Sequence, residues 1–354
     1  MELAIYTPDD IKVDVLQNTT SVQWQSYYNK TGYFEIHAKG TPANQKYLVV
    51  KNRLVRSDTN EIGFITYVFP RISEITGDEE IEVRGYLNNL DNRTNPTVSK
   101  IKNVEADLYA LVNKNKRNLN ITTAPLSGLM EKIDNGMETT GKNLDTTFTD
   151  VCEQLGLGFR MVRKNRTMNV IELYKRSIKD KVKFSDELGN IVAQSYLINI
   201  SDYKNFAYVY GQGKNEERIG YTVDLTSGGD RYELYVDARD IGWTYYDDNN
   251  VEHQHTAESY KQALIQRGIE KLLERRAIRE FTAEVNSGDS LFRFGEDYEL
   301  GDIVKTNSKR YALAKYFRIQ GVRMIEELGT ETIKLTLTDY EEEANALLEE
   351  VNNQ

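Results

Sequence analysis

From residue 2 to residue 87, short runs of β-branched and aromatic residues alternate with polar ones and are broken by turn signals. Ser21-Val22-Gln23-Trp24, Tyr33-Phe34-Glu35-Ile36, Tyr47-Leu48-Val49-Val50 and the run 62–69 each carry this pattern. A period of two buries one face of a strand, so the segment predicts consecutive antiparallel strands. Thr76-Gly77-Asp78-Glu79 is a polar turn between Ile72 and Ile75 on one side and Ile81, Val83, Gly85 and Leu87 on the other, which predicts a hairpin.

The period then lengthens. Val104, Leu108, Leu111 and Val112, and later Leu144, Phe148, Val151, Cys152 and Leu155, recur at helical spacing, and Gly156 supplies a helix stop. Two strand-like runs follow, 159–162 and 168–174, joined by the basic turn Arg163-Lys164-Asn165-Arg166. Strand signals resume over 182–185, 195–200, 206–210, 220–223 and 233–236, with Ser227-Gly228-Gly229-Asp230 read as a glycine-rich hairpin turn. Over 256–280, Tyr260, Leu264, Ile265, Gly268, Ile269, Leu272 and Leu273 form one apolar stripe opposite Glu, Lys and Arg, which predicts an amphipathic helix. Strands return at 281–285, 303–305, 312–322 and 332–337 before an acidic helical pattern closes the sequence.

The predicted class is a β-rich α+β, multidomain protein. Its expected parts are an N-terminal β domain over 1–96, a small α+β domain over 97–178, and a second, discontinuous β domain over 179–240 and 281–340. A helical insertion over 241–280 and a C-terminal acidic helix over 341–354 complete the expectation. At 354 residues the chain exceeds the size at which a single core stops growing, which fits several domains.

Composition sharpens this picture in four places. Tyrosine, at 23 residues against 11 Phe and 2 Trp, suits half-buried strands and wet interfaces, because its ring packs while its hydroxyl keeps a polar partner. A formal charge of −10 repels a phosphate backbone and disfavours sequence-specific DNA binding. The single cysteine, Cys152, excludes an intramolecular disulfide and a multi-thiolate metal site, and its apolar neighbours mark it as a core residue. No run of about 18 apolar residues and no signal-peptide pattern occurs, so neither a membrane segment nor ordinary secretion is expected.

Candidate chemistry is sparse. The three histidines are His37, His253 and His255, and the His253-Gln254-His255 pair has no third metal ligand placed by sequence. The Asp247-Asp248-Asn249-Asn250 stretch before it reads as a solvated turn. Gly211-Gln212-Gly213 lacks the further glycine and helix that dinucleotide binding needs, and reads as a strand-ending turn. Glu233, Asp237 and Asp240 are as compatible with a charged edge strand as with an acid/base pair. Lys271, Arg275, Arg276 and Arg279 are interleaved with Glu270, Glu274 and Glu280, as on an ordinary exposed helix. No catalytic, cofactor-binding or metal-binding residue is therefore assigned, and no cofactor is expected.

Three stretches carry a resemblance: 205–213 (Asn-Phe-Ala-Tyr-Val-Tyr-Gly-Gln-Gly), 231–240 (Arg-Tyr-Glu-Leu-Tyr-Val-Asp-Ala-Arg-Asp) and 298–304 (Tyr-Glu-Leu-Gly-Asp-Ile-Val). Together with Gly63-Phe64-Ile65 and Val83-Arg84-Gly85-Tyr86-Leu87, they resemble the tail-tip hub (baseplate hub) proteins of long-tailed, siphovirus-type bacteriophages. That resemblance implies two related antiparallel β-barrels per subunit with smaller α+β insertions, assembled as a homotrimer whose six barrels form a pseudo-sixfold ring. It implies a structural role joining the tail tube or distal tail ring to the tip, and a channel that opens for DNA and the tape-measure protein. Implied partners are the chain itself, the distal tail or tail tube protein, the tape-measure protein and tail-tip or fibre proteins, with DNA in transient passage only. The implied location is the virion tail tip, after synthesis in the host cytoplasm. Tyr208, Tyr210, Glu233, Asp237, Arg239, Asp240, Gly301 and Asp302 belong to the resembling stretches and are candidate interface residues.

Two alternatives stand beside the hub. A tail-associated peptidoglycan hydrolase needs paired carboxylates or zinc, and many relatives carry such domains beyond the position where this sequence ends. A carbohydrate-binding module at the tail tip would use Trp24, Trp243 and exposed tyrosines to stack on sugar rings.

Overall fold

Alternation of apolar and polar residues turns most of the chain into strands, as a computed structural model shows for residues 1–72, 79–165, 168–214, 218–246, 251–285, 291–327 and 329–340. The first β region contains β1 (Leu3–Tyr6), β2 (Lys12–Val15), β3 (Thr19–Tyr27), β4 (Tyr33–Lys39), helix α1 (Pro42–Tyr47), β5 (Arg53–Arg56), β6 (Ile62–Ile72) and β7 (Glu79–Tyr86). Then come β8 (Lys100–Asn103), α2 (Val104–Asn115), β9 (Thr122–Thr123), β10 (Lys132–Glu138), α3 (Leu144–Leu155), β11 (Gly158–Asn165) and β12 (Met168–Tyr174). Next are β13 (Ile178–Ser185), β14 (Ile191–Asn199), β15 (Phe206–Tyr210), β16 (Gly220–Asp224), β17 (Glu233–Asp237), β18 (Thr244–Tyr246), β19 (Glu252–Gln254) and α4 (Ala257–Leu273). The last strands are β20 (Ile278–Val285), β21 (Ile303–Ser308), β22 (Leu313–Glu327) and β23 (Thr330–Asp339). The chain forms two compact units, a larger one of Met1–Lys132, Glu138–Ser195 and Phe281–Tyr340, and a smaller one that includes Ile133–Met137 and Tyr196–Glu280.

The strands of the first β region join those of residues 178–199 and 278–339 in one 13-stranded sheet in the order β14-β20-β23-β22-β3-β4-β7-β6-β5-β1-β2, with β13 and β21 attached through β22, while β15, β16 and β17 of the predicted second β domain form a separate sheet. The link is β22, whose first part pairs antiparallel with β21 and whose second part pairs antiparallel with β3, Gly321 opposite Tyr27 through Glu327 opposite Ser21. Pairing is antiparallel along most of this sheet, while β13 runs parallel to β21. The inward residues of the first β region, among them Val22, Trp24, Phe34, Ile36, Leu54, Ile81 and Val83, form one apolar core. In the α+β portion Leu108 and Val112 of α2 and Phe148 and Val151 of α3 are all fully buried, and the three-stranded sheet runs β11-β12-β9. Asn143 caps α3 by accepting from the Thr146 N–H at 2.7 Å, and Gly156 ends it in the left-handed conformation at φ 61°.

Tyr28, 1% exposed, ties these parts of the larger unit together. Its N–H donates to the Gln320 carbonyl at 2.9 Å, and its carbonyl accepts from the Phe159 N–H at 2.9 Å. Its hydroxyl reaches the Gly156 carbonyl at 3.2 Å and accepts from the Arg176 N–H at 3.3 Å. The ring lies beneath the Arg318 guanidinium at 5.0 Å and meets Tyr174 edge-on at 5.3 Å. Gly301 supplies the floor: it has φ +91°, and a Cβ there would sit 2.3 Å from the Tyr28 ring. A second link is the buried Asp10, which accepts from Arg163 at 2.8 Å and also from Arg53 and Asn120, joining the first β region to the α+β portion. Burying this carboxylate is tolerable because guanidinium groups and an amide donor surround it.

Several predicted elements differ from those observed. Tyr47-Leu48-Val49-Val50 is no strand: Thr41 caps α1 by accepting from the Asn44 N–H at 3.2 Å, Pro42 starts the helix, and the chain turns at Leu48. Ser227-Gly228-Gly229-Asp230 is no hairpin turn, since β16 and β17 lie on opposite sides of β15 and β17 runs parallel to it. The helix predicted to reach residue 280 stops at Leu273, where polar and apolar residues begin to alternate into β20. Arg275 and Arg276 thus follow the helix, and Arg279 lies on a strand. Strands β6 and β7 pair as the predicted hairpin, whereas its turn at 73–78, the 247–250 turn, Arg166 and the acidic helix over 341–354 fall outside the described residues.

Gly301→Ala is expected to cost about 1–3 kcal/mol in backbone strain and about 1–3 kcal/mol more in overpacking against Tyr28. Gly128→Ala, also at positive φ but with nothing within 4 Å, will show the strain alone. Urea unfolding midpoints of the two variants check this. Glu105 gives a pH prediction. Burial pushes its carboxyl up, but hydrogen bonds from the Ser127 N–H and hydroxyl and from the Leu129 and Gly128 N–H groups outweigh this and hold it below the ordinary glutamate value of 4.5. A folded-state value below the unfolded one gives stability that is complete above pH 4.5 and lost as pH falls through the folded value. Glu105→Gln will therefore lose about 1.5–3 kcal/mol near neutral pH, and the gap from the parent will close on acidification in denaturant titrations.

Candidate protein interface

Within the smaller unit, alternation along three short strands separates a buried face from an open one. The strand order is β16-β15-β17, with β15 antiparallel to β16. Ala207, Val209, Val223 and Val236 point inward and pack with Tyr260, Leu264, Ile269 and Leu272 of α4. Thr256 caps α4 by accepting from the Ser259 N–H at 3.1 Å. Gly268 lets the helix approach closely, since a Cβ there would meet Val223 at 2.6 Å and Val209 at 2.7 Å. Gly211 ends β15 for a similar reason: a Cβ would meet the Tyr260 hydroxyl at 2.3 Å. That hydroxyl accepts from the Gln212 N–H at 2.9 Å and donates to the Ile241 carbonyl at 3.0 Å, so the Gly211-Gln212-Gly213 turn rests on α4.

The opposite face carries Phe206, Tyr208 and Tyr210 from β15 and Glu233, Tyr235 and Asp237 from β17. Arg218 organises one end of it. Its guanidinium donates to the Gly211 and Tyr210 carbonyls at 3.0 Å each, to Asp237 at 2.7 Å and to the Tyr235 hydroxyl at 2.5 Å. Tyr210 and Tyr235 stack beside it with ring centroids 5.6 Å apart. Arg239 clasps the same Asp237, with Nε 2.9 Å from each carboxylate oxygen. Hydrogen bonds from Arg239, then the charges of Arg239 and Arg218, push the Asp237 carboxyl down to about 2. At the other end Arg231 lies 3.9 Å over the Phe206 ring, and the Tyr208 hydroxyl donates to Glu233 at 3.1 Å. The result is a surface of tyrosine rings set among guanidinium–carboxylate pairs, with Tyr235 57% exposed. Aromatic and arginine side chains of this kind dominate protein–protein contacts.

Of the residues singled out in the sequence, Tyr208, Tyr210, Glu233, Asp237 and Arg239 meet on this face. Asp240 instead pairs with Arg267 of α4 at 3.0 Å. Gly301 and Asp302 lie in the larger unit, Gly301 against the Tyr28 ring and Asp302 1% exposed, its carboxylate accepting from the Glu299 N–H at 2.9 Å. Burial pushes the Asp302 carboxyl up, against the pull of that N–H and of Lys179 and Arg176. Arg218 escaped sequence reasoning because it sits in the connection between β15 and β16, where no periodicity marks it.

The other candidates resolve as packing. His253 and His255 flank the Tyr245 ring at 5.4 and 4.6 Å, and no group of three or more His, Cys, Asp or Glu side chains among the described residues is placed to hold a metal ion. Burial pushes the Cys152 thiol well above its ordinary value. Trp24 is fully buried against Phe34, and Trp243 stacks on Tyr260 at 4.2 Å, so Trp24 offers no sugar platform and Trp243 is engaged with α4. Among the described residues no helix is long and apolar enough to cross a membrane.

This architecture has solved counterparts. The tail protein from Neisseria meningitidis MC58 superposes with a TM-score of 0.59 at 10% identity, covering 95% of this chain and 96% of that one. The 43 kDa tail protein of prophage MuSo2 from Shewanella oneidensis gives 0.58 at 12% identity, covering 96% and 98%. Prophage tail protein gp18 from Listeria monocytogenes EGD-e gives 0.53 at 13% identity, covering 100% and 99%. The fold is thus that of phage and prophage tail proteins. A family model described as Siphovirus ReqiPepy6 Gp37-like protein matches residues 98–337, more than half of the chain, and the chain belongs to this siphovirus family. No curated protein matches it in sequence.

Arg218→Lys keeps the charge but loses the planar fork that bridges Tyr210, Tyr235 and Asp237. Local stability of β15 and β17 should fall by about 1–2 kcal/mol, read as faster amide exchange in those strands with the larger unit unchanged.

Proposed function

We propose that this chain is the structural hub subunit of a siphovirus-type phage or prophage tail tip. Three copies form a ring that joins the tail tube or distal tail ring to the tip and gates the channel for genome ejection. The observation that carries this reading is membership of a siphovirus family together with a fold shared, over nearly the whole chain, with phage tail proteins. Each subunit supplies two related β-barrels, built around 1–96 and around 179–240 with 281–340, so three copies present six similar modules to a sixfold tube.

The wider arrangement supports the same role. A single strand, β22, holds the two β regions together, which suits a rigid ring element. A charge of −10 lets DNA pass without adhering. The Tyr208, Tyr210, Glu233, Asp237 and Arg239 face is a subunit or tail-protein contact, and the tape-measure protein and tip or fibre proteins complete the set of neighbours. The role is architectural rather than enzymatic, exercised at the virion tail tip after synthesis in the host cytoplasm.

Light scattering of the purified chain across a concentration series is expected to reach the mass of a trimer, and electron microscopy to show rings with six lobes. A monomer at every concentration that also fails to assemble with distal tail protein would refute the ring.

A further inference from the structure

Five strands of the first β region and five from residues 191–339 repeat a single plan. In chain order they are β3, β4, β5, β6, β7 and β14, β20, β21, β22, β23, and in the sheet they stand β3-β4-β7-β6-β5 and β14-β20-β23-β22-β21. The details coincide. Strand β6 pairs with β5 as far as Phe64 and bulges against β7 between Ile65 and Tyr67; β22 pairs with β21 as far as Arg318 and bulges against β23 between Ile319 and Gly321. The Ile65 N–H donates to the Asn52 carbonyl at 3.0 Å and its carbonyl accepts from the Lys51 N–H at 2.9 Å. Ile319 does the same with the Asp302 carbonyl at 2.9 Å and the Gly301 N–H at 2.8 Å. Lys51 and Gly301 are both left-handed, at φ 75° and 91°. Phe64 thus corresponds to Arg318 and Tyr67 to Gly321, a match of backbone geometry without likeness of side chain.

The repeat is closed at one junction and open at the other. Beyond its bulge, β22 turns the side away from β23 to β3, Gly321 opposite Tyr27 through Glu327 opposite Ser21. The corresponding stretch of β6, residues 67–72, has no second ladder partner among the described residues, and β14, which corresponds to β3, ends the sheet. Both edges are apolar. Tyr67, Phe69 and Ile72 on one, and Val192, Leu197 and Ile198 on the other, are exposed, Ile72 by 65% and Val192 by 64%. No charged residue occurs in 191–199, although exposed edge strands are ordinarily protected by charge. Pro70 lies in the β6–β7 ladder without breaking it, so its nitrogen faces the free side and removes one donor there. Val68 and Ile72, two residues away on either side, keep theirs.

A closed ring of identical chains needs a head-to-tail contact between two unlike patches, and a chain holding two similar modules has one junction inside it and one to its neighbour. We propose that the 67–72 edge of β6 in one copy pairs antiparallel with β14 of the next, repeating between chains the β22–β3 ladder found within each. A second copy is the occupant because the chain already shows the same edge geometry filled by its own β3. Backbone groups make such a junction, so it draws on no unpaired side-chain charge. This rests on the ring reading above and specifies which strands close the ring.

The test places the photo-reactive residue p-benzoylphenylalanine at position 192 of the full chain, mixes it with isotope-labelled parent, and maps the products after irradiation by mass spectrometry. The expected product is a two-chain species whose labelled peptide lies within residues 57–86. The same probe at Met130, an exposed residue of the α+β portion, should give no product in that peptide. In parallel, amide exchange of the unmodified chain is followed above and below the concentration of assembly. Residues 67–72 and 191–199 should gain protection in the trimer, while 21–27, already paired with β22, should not. Pro70→Val restores the missing donor and should lower the concentration of half-assembly by about threefold; a rise would count against the pairing. A parent trimer whose position-192 product is absent or maps elsewhere, or whose two segments exchange as in the monomer, would overturn the pairing while leaving the ring intact. A parent that stays monomeric throughout would overturn both.

Discussion

The larger unit depends on one side chain, Tyr28, being completely enclosed. Three stretches far apart in sequence, around residues 156–176, 301 and 318–320, converge on it through backbone hydrogen bonds, ring contacts and a guanidinium. Each contact alone is worth little net, but a buried phenol must find polar partners for its hydroxyl. Asp10 acts similarly at a second point, where a buried carboxylate is held by arginines from different parts of the chain. Such polar nodes specify register between layers in a way that apolar packing alone does not.

Much of the local structure was legible in the sequence because it is encoded locally. The helical spacing from Leu144 to Leu155 and the stop at Gly156 appear as α3 with its left-handed cap, and the alternation in 159–162 and 168–174 appears as the β11–β12 hairpin. Pairing between distant strands left no such trace. Nothing in the spacing of residues 313–327 tells that they lie beside residues 21–27, since a period of two selects a face and never a partner. The same gap explains the misread Ser227–Asp230 loop: a glycine-rich connection permits a tight turn, but the sheet placed β17 on the far side of β15.

The candidate interface was half legible. Tyr208, Tyr210, Glu233, Asp237 and Arg239 were named from the resembling stretches, and they do share one face. Arg218, which knits that face together, lies outside any periodic segment. Gly301 and Asp302 belong to the same resembling set for a different reason. Gly301 serves the enclosure of Tyr28 and Asp302 is buried, so a shared motif here reflects the scaffold as much as a surface.

The long strand β22 has a mechanical consequence. Its ladder to β3 and its ladder to β23 lie along a single strand axis. A pull along that axis loads these hydrogen bonds in shear, so they must fail together rather than unzip one by one. The β22–β3 ladder is therefore a splice that resists tension along the strand and yields more easily to peeling across it.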